Sequence, residues 1–153
     1  MIHIYTDGAC EPNPGAGGWA FVVYEDGLET NNRNGGDLAT TNNIMEMTAV
    51  LAALEYAKLV GLKTENVIIY SDSQYCVKGC TQWRHSWAKK GWTRGKPSLA
   101  NAELWQAMAA AHDAFPCAIT WVRGHSGVPG NERADVLAGK GRLHAIDRLE
   151  AFA

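Results

Sequence analysis

Apolar and polar positions change period along this chain, and those changes lay out its elements. Ile2-His3-Ile4-Tyr5-Thr6 is mostly β-branched or aromatic, as a strand wants, and the run stops on Asp7-Gly8. Trp19-Ala20-Phe21-Val22-Val23-Tyr24 is a second such run, reached through a turn-rich loop from Gly8 to Gly18. Asp26-Gly27 is a hairpin signal, so Leu28 to Gly36 is expected to return antiparallel as an Asn-rich, exposed edge strand. Thr40-Thr41-Asn42-Asn43 are cap residues that open a helix from about Ile44 to Leu59, ended by Gly61. Val67-Ile68-Ile69-Tyr70-Ser71-Asp72 is a strand again. The helical crossover before it predicts a parallel pairing with the first strand. Ser73 can cap a short helix over Gln74 to Gly79, and Trp83 and Trp87 then share a helical face. Asn101 is placed to cap a helix from about Ala102 to Ala114, and Cys117 to Arg123 reads as the fifth strand. The last helix starts at Asn131 to Asp135 and is expected to end near Leu143, leaving a mixed tail over 144–153. No repeat or linker interrupts the pattern, so residues 1–153 are expected to form one α/β domain.

Composition narrows the class. A chain of 153 residues with 46% hydrophobic content suits one soluble core. No apolar run approaches the roughly 18 residues a bilayer span needs, and Met1-Ile2-His3-Ile4 enters a strand directly. The expectation is a cytoplasmic protein that meets no membrane. Cys10, Cys76, Cys80 and Cys117 show no framework spacing, so reduced thiols are the default. Cys76 and Cys80 lack the second pair a zinc site needs. The formal net charge is −2, but Arg84, Lys89, Lys90, Arg94 and Lys96 lie between Trp83 and Lys96 with no acid among them. One basic stretch on an otherwise acidic chain is a better sign of a nucleic-acid partner than the total charge. Trp83, Trp87 and Trp92 are interleaved with those bases, which suits contact with sugars, bases and phosphates. A core stripe under a solvated face is the competing reading and fits Trp83. Trp92 has little apolar company in sequence.

The candidate chemistry lies in four acids. Asp7, at the end of an apolar strand, admits two readings: a turn cap, or one of several carboxylates made tolerable by a metal ion. Asp72 repeats the arrangement at the end of its own strand. Glu46 is expected in the first turn of its helix with Ala49, Val50 and Ala53 beside it, and Asp135 in the first turn of the last helix. With no His or Cys metal box, such a set suits Mg²⁺ or Mn²⁺, and four acids suit a pair of ions in phosphodiester cleavage. His125, between Gly124 and Ser126-Gly127, sits on a mobile loop suited to proton traffic. The glycines after Asp7 lead into a strand rather than a helix, so neither nucleotide-loop motif fits them.

At this point the chain resembles a known family. Tyr5-Thr6-Asp7-Gly8, Asn13-Pro14-Gly15, Thr41-Asn42-Asn43 with Met45-Glu46, Ser71-Asp72-Ser73-Gln74-Tyr75, Gly124-His125-Ser126-Gly127 and Asn131-Glu132-Arg133-Ala134-Asp135 look like ribonuclease H of type 1. The motifs run in the family's order over about residues 2–143. The resemblance implies a ribonuclease H-like fold with a five-stranded mixed sheet, order 3-2-1-4-5, strands one to three antiparallel, flanked by helices. It implies endonucleolytic hydrolysis of the RNA strand of RNA–DNA hybrids with two Mg²⁺ ions, leaving 5′-phosphate and 3′-hydroxyl ends. Asp7, Glu46, Asp72 and Asp135 match its metal-binding catalytic acids, and His125 its loop histidine. Asn13, Asn43 and Gln74, with Asn42 in the same motif, match contacts to the RNA strand, where 2′-hydroxyls mark RNA. Thr41 and Asn101 match a pocket for a DNA-strand phosphate, and Trp87 lines the DNA channel. The stretch from Trp83 to Lys96, with Lys89, Lys90 and Trp92, matches the family's hybrid-binding handle. A monomer is implied as well. Two departures, Ala39 and Ile44 where relatives often carry bases, bear on the phosphate pocket. A hybrid-binding module that does not cut, and a same-fold DNA nuclease or integrase, are the alternatives.

Overall fold

The computed structural model describes residues 1–93 and 99–151. Arg94 and Lys96 of the basic stretch lie outside the described residues. The first strand, β1 (Ile2–Cys10), is the middle of a five-stranded sheet because both its edges are paired. On one side it runs antiparallel to β2 (Gly15–Glu25), which pairs in turn with β3 (Leu28–Thr40). On the other it runs parallel to β4 (Val67–Ser71), which pairs with β5 (Ala118–Trp121). The order is β3-β2-β1-β4-β5, as the resemblance implied. The Asp26-Gly27 turn closes the β2–β3 hairpin with both residues at positive φ, 52° and 84°, the twist a tight hairpin needs.

The strands of this meander are longer than their apolar runs. Asp7 pairs with Ala20, Gly8 with Trp19, Ala9 with Gly18 and Cys10 with Gly17, so most of the expected glycine-rich loop is ladder. Only the segment between Cys10 and Gly15 is left to turn. Backbone pairing, which needs no side chain, carries the strands through residues of low intrinsic strand preference.

The helices are α1 (Asn42–Leu59), α2 (Gln74–Lys78), α3 (Arg84–Lys89), α4 (Ala102–Ala114) and α5 (Pro129–Ala151). A wide helical turn over Gly79–Trp83 joins α2 to α3. Alternation along β2 sorts the two faces. Phe21 and Val23 join Ile4, Ile69, Met47, Val50, Leu54 and Trp105 in the larger core, which α1 and α4 help build. Ala20 and Val22 point the other way, beneath Ala134, Leu137 and Ala138 of α5. On that face α5 comes so close that a Cβ at Gly18 would run into the Ala138 carbonyl. Small residues on both sides make this close approach of helix to sheet possible. Among the described residues no helix is long and apolar enough to cross a membrane.

Four expectations are corrected. The last helix does not stop at Leu143 but continues to Ala151, burying Ala145, so 144–151 is helix rather than tail. Glu46 and Asp135 lie in the second turns of their helices, because α1 starts at Asn42 and α5 at Pro129. Asn101 does precede α4, but its backbone is left-handed and its side chain caps nothing; its amide donates to the Tyr75 hydroxyl at 3.5 Å. Arg84 is buried rather than presented. Its Nε donates to the Cys80 carbonyl at 2.6 Å and its Nη1 to Asp113 at 2.9 Å, which ties α3 to α4.

Candidate active site

Register brings two of the acids together. The β1–β4 ladder pairs Tyr5 with Tyr70, and the same offset two residues on sets Asp7 opposite Asp72. The parallel β1–β4 ladder itself ends at Tyr5 and Tyr70. Asp7 is not at a strand end, however: its other edge stays paired to β2 through Cys10. Glu46 arrives from α1. A Cβ at Gly8 would overlap the Met45 carbonyl carbon and the Glu46 nitrogen, so glycine is what lets the start of α1 sit on β1. Glu46 Oε1 accepts from the Gly8 N–H at 3.0 Å, and Asp7 Oδ1 accepts from the same N–H at 2.9 Å. The burial of Glu46 against β1, rather than a helix dipole, is what fixes it.

Asp7, Glu46 and Asp72 each offer an oxygen, and these oxygens all lie within 4.8 Å of one another. Asp7 and Glu46 are buried and Asp72 partly so. Burial pushes the Asp7 carboxyl up to about 7; a hydrogen bond with Glu46 opposes the rise, while the charges of Asp72 and Asp135 add to it. Burial, then the Asp7 charge, raises Glu46 well above the carboxylate range. Asp135 approaches Asp7 from α5 but stands outside the three-oxygen set. All four acids and His125 line one cleft of about 680 Å³, with Asn42 and Arg142 on its wall. His125 is exposed, on a loop where its own φ is 53°.

Residues that sequence reasoning did not single out hold these acids. Asn131, buried at the start of α5, donates from Nδ2 to Asp72 Oδ2 at 3.2 Å. Trp121 Nε1 donates to the Asp72 carbonyl at 3.1 Å. The Ser71 hydroxyl faces Glu46 Oε2 at 3.5 Å and accepts from the Ser73 N–H at 3.1 Å. Asn131 belongs to a motif visible in the sequence, but only the fold shows what its amide touches.

A second cleft, of about 500 Å³, is lined by Asn43, Tyr75, Trp83, Ser86, Trp87 and Asn101 among others. Trp83 and Trp87 are tilted neighbours with ring centroids 5.9 Å apart, and Trp87 packs on Trp105 at 5.1 Å. Exposure reverses the expectation for the tryptophans: Trp83 is 39% exposed, whereas Trp92 is half-buried against the core. Lys89 and Lys90 are exposed at the end of α3. Gln74 and Asn13 are exposed and line neither cleft. Thr41 also lines neither; its hydroxyl caps α1 by accepting from the Ile44 N–H at 3.2 Å. Ala39 is exposed and Ile44 half-buried, so neither supplies a charge there.

Comparisons with known proteins agree with the geometry. A family model described as RNase H matches residues 1–142. The chain is 49% identical to a ribonuclease H of Polaromonas naphthalenivorans, over 97% of its own length and 91% of the relative's. It is 51% identical to a ribonuclease H of Acidovorax sp., over 97% and 99%. Among solved structures, a type 1 RNase H with the type 2 active-site motif superposes with a TM-score of 0.81, at 30% identity over 94% of this chain and 72% of that one. An RNase H1 from the archaeon Halobacterium salinarum gives 0.66 at 28% identity, over 92% and 96%. Carboxylates brought together by this sheet order, and a match over nearly the whole chain to proteins of that name, place the chain in the ribonuclease H family.

Proposed function

We propose that this chain is an endonuclease that hydrolyses the RNA strand of RNA–DNA hybrids with divalent metal ions, leaving 5′-phosphate and 3′-hydroxyl ends. The observation that carries the reading is the convergence of Asp7, Glu46 and Asp72 in a chain of this family. The donor set fits Mg²⁺ or Mn²⁺: it is all oxygen, with no sulfur or nitrogen, and burial first, then the charges of neighbouring acids, raises the pKa of Asp7 and Glu46, a charge load a cation would relieve. Asp7, Glu46, Asp72 and Asp135 would hold two ions. When bound, such a pair supplies positive charge that lowers the pKa of an attacking water and stabilises the leaving oxygen.

The chain's own groups do the rest. Asn131 and Ser71 orient the carboxylates by hydrogen bonds, so the acids are aimed before substrate arrives. The imidazole of His125, on its exposed loop, carries a proton at a ring nitrogen between the cleft and solvent. The amides of Asn13, Asn43 and Gln74, with Asn42 behind them, read 2′-hydroxyls of the RNA strand. Asn101 and Thr41 hold a DNA-strand phosphate, Trp83 and Trp87 carry the DNA strand along the second cleft, and Trp92 with the exposed Lys89 and Lys90 extends that surface beyond it. In this reading one copy of the chain suffices, and it works as a cytoplasmic monomer.

The test is cleavage of an end-labelled RNA–DNA hybrid in Mg²⁺ and in EDTA, with single-stranded RNA, duplex DNA and Asp7→Asn protein alongside. Cutting of the hybrid's RNA alone, lost in EDTA and in Asp7→Asn, is expected. Binding without cutting in either Mg²⁺ or Mn²⁺ overturns the enzymatic reading, and faster cutting of duplex DNA overturns the substrate.

A further inference from the structure

We propose that Arg142 is a positioning residue for substrate binding: its guanidinium ties the Glu11–Ala16 loop to α5 and so sets the Asn13 amide against the RNA strand. The inference rests on the reading of Asn13 given above. Arg142 is half-buried on the wall of the acid cleft, about two turns beyond Asp135 on α5. Its Nη2 donates to the Glu11 carbonyl at 2.6 Å, and its Nε reaches both Glu11 O at 3.0 Å and Ala16 O at 3.2 Å. Those two carbonyls are the neck of the loop, which is closed by the Glu11 N–H donating to Ala16 O at 3.0 Å.

Asn13 stands at the exposed tip. Its Oδ1 accepts from the Asn42 N–H at 3.1 Å, and Asn42 Oδ1 accepts from the Cys10 N–H at 2.7 Å. The tip is thus held from α1 by one neutral hydrogen bond, and the neck from α5 by a charged fork. Because α5 also carries Asp135, one rigid helix sets the distance between that loop and the acids. Only arginine has a planar set of donors able to reach two carbonyls at once. Lysine at the same place has its donors on one flexible ammonium and lacks the fixed fork that grips the carbonyls from two nitrogens.

Steady-state cleavage of the hybrid by wild type, Arg142→Ala, Arg142→Lys, Asn13→Ala and the Asn13→Ala/Arg142→Ala double variant tests this. Arg142→Ala is expected to raise KM about three- to tenfold with kcat little changed, since what is lost is binding geometry. Arg142→Lys is expected to recover part of that loss. The double variant should be no worse than Asn13→Ala by more than about twofold, because both changes remove the same contact. An unchanged KM in Arg142→Ala, or effects that multiply in the double variant, overturns the proposal. If Arg142→Ala melts below the assay temperature, Arg142→Lys and its double variant with Asn13→Ala decide by the same criteria. Wild-type protein that fails to cut the hybrid counts against the proposed function instead, and is told apart by that control.

Discussion

Asp7 is the residue on which the site's electrostatics turn. Without a cation its carboxyl is pushed from 3.8 up to about 7, chiefly by burial. The folded state therefore keeps a proton that the unfolded chain would release, and over that interval folding takes up protons. By linkage, the stability this group contributes is fully present below 3.8 and is lost as pH rises through about 7. In EDTA the thermal midpoint should fall over this window, and Asp7→Asn, which cannot ionise, should fall less. Mg²⁺ should act in the opposite sense. It binds ionised carboxylates, so the rise in midpoint it causes should be larger near pH 8 than near pH 5. Calorimetry of both proteins with and without Mg²⁺ checks the pair. A slope equal in wild type and Asp7→Asn would mean that Glu46 or another group holds the proton.

At the scale of elements, the site depends on how closely α1 can approach β1. Gly8→Ala would press a methyl group into the backbone at Met45 and Glu46, and neither backbone atom can move without shifting the helix. The expected cost is about 1–3 kcal/mol in urea unfolding, together with a loss of cleavage under conditions where the variant is fully folded. Full activity in a folded Gly8→Ala protein would show that α1 need not sit so close. Much of this layer was legible in the chain itself. The β1–β3 meander and the parallel pairing of β4 with β1 follow from a hairpin signal and a helical crossover, whereas the full strand order came from the family resemblance; α4 has the bounds its alanine-rich pattern suggests. The ends of β1 and β2 were not legible, because ladder pairing rather than side-chain preference extends them through glycines. The reach of α5 was missed because it is burial of its own Ala145, not a cap or breaker, that decides where it continues. Asp7 and Asp72 could be paired by matching strand ends. The amide of Asn131 on Asp72 could not, since 59 residues separate the two and only the fold brings them together.

For the whole molecule, the question is which charges meet a polyanion. Five bases between Trp83 and Lys96 made this stretch the natural electrostatic handle on a chain of net charge −2. The structure removes Arg84 from that role, since its guanidinium is spent on Asp113 and Cys80, and leaves Lys89 and Lys90 exposed at the end of α3. The two kinds of base should therefore fail differently. Each phosphate contact releases condensed counterions, so log Kd rises with log salt in proportion to the number of contacts made. Replacing Lys89 and Lys90 together by alanine should flatten that slope by about 1–2 while leaving unfolding unchanged within about 0.5 kcal/mol. Arg84→Ala should do the reverse. It strands the Cys80 carbonyl and should cost about 1–3 kcal/mol of stability, while the salt slope stays as it is. Anisotropy of a labelled hybrid with the Asp7→Asn background, titrated across potassium chloride concentrations, separates binding from cutting. A slope unmoved by the double lysine change would place the hybrid on another face. A slope flattened by Arg84→Ala in folded protein would mean that the ion pair with Asp113 opens to take a phosphate.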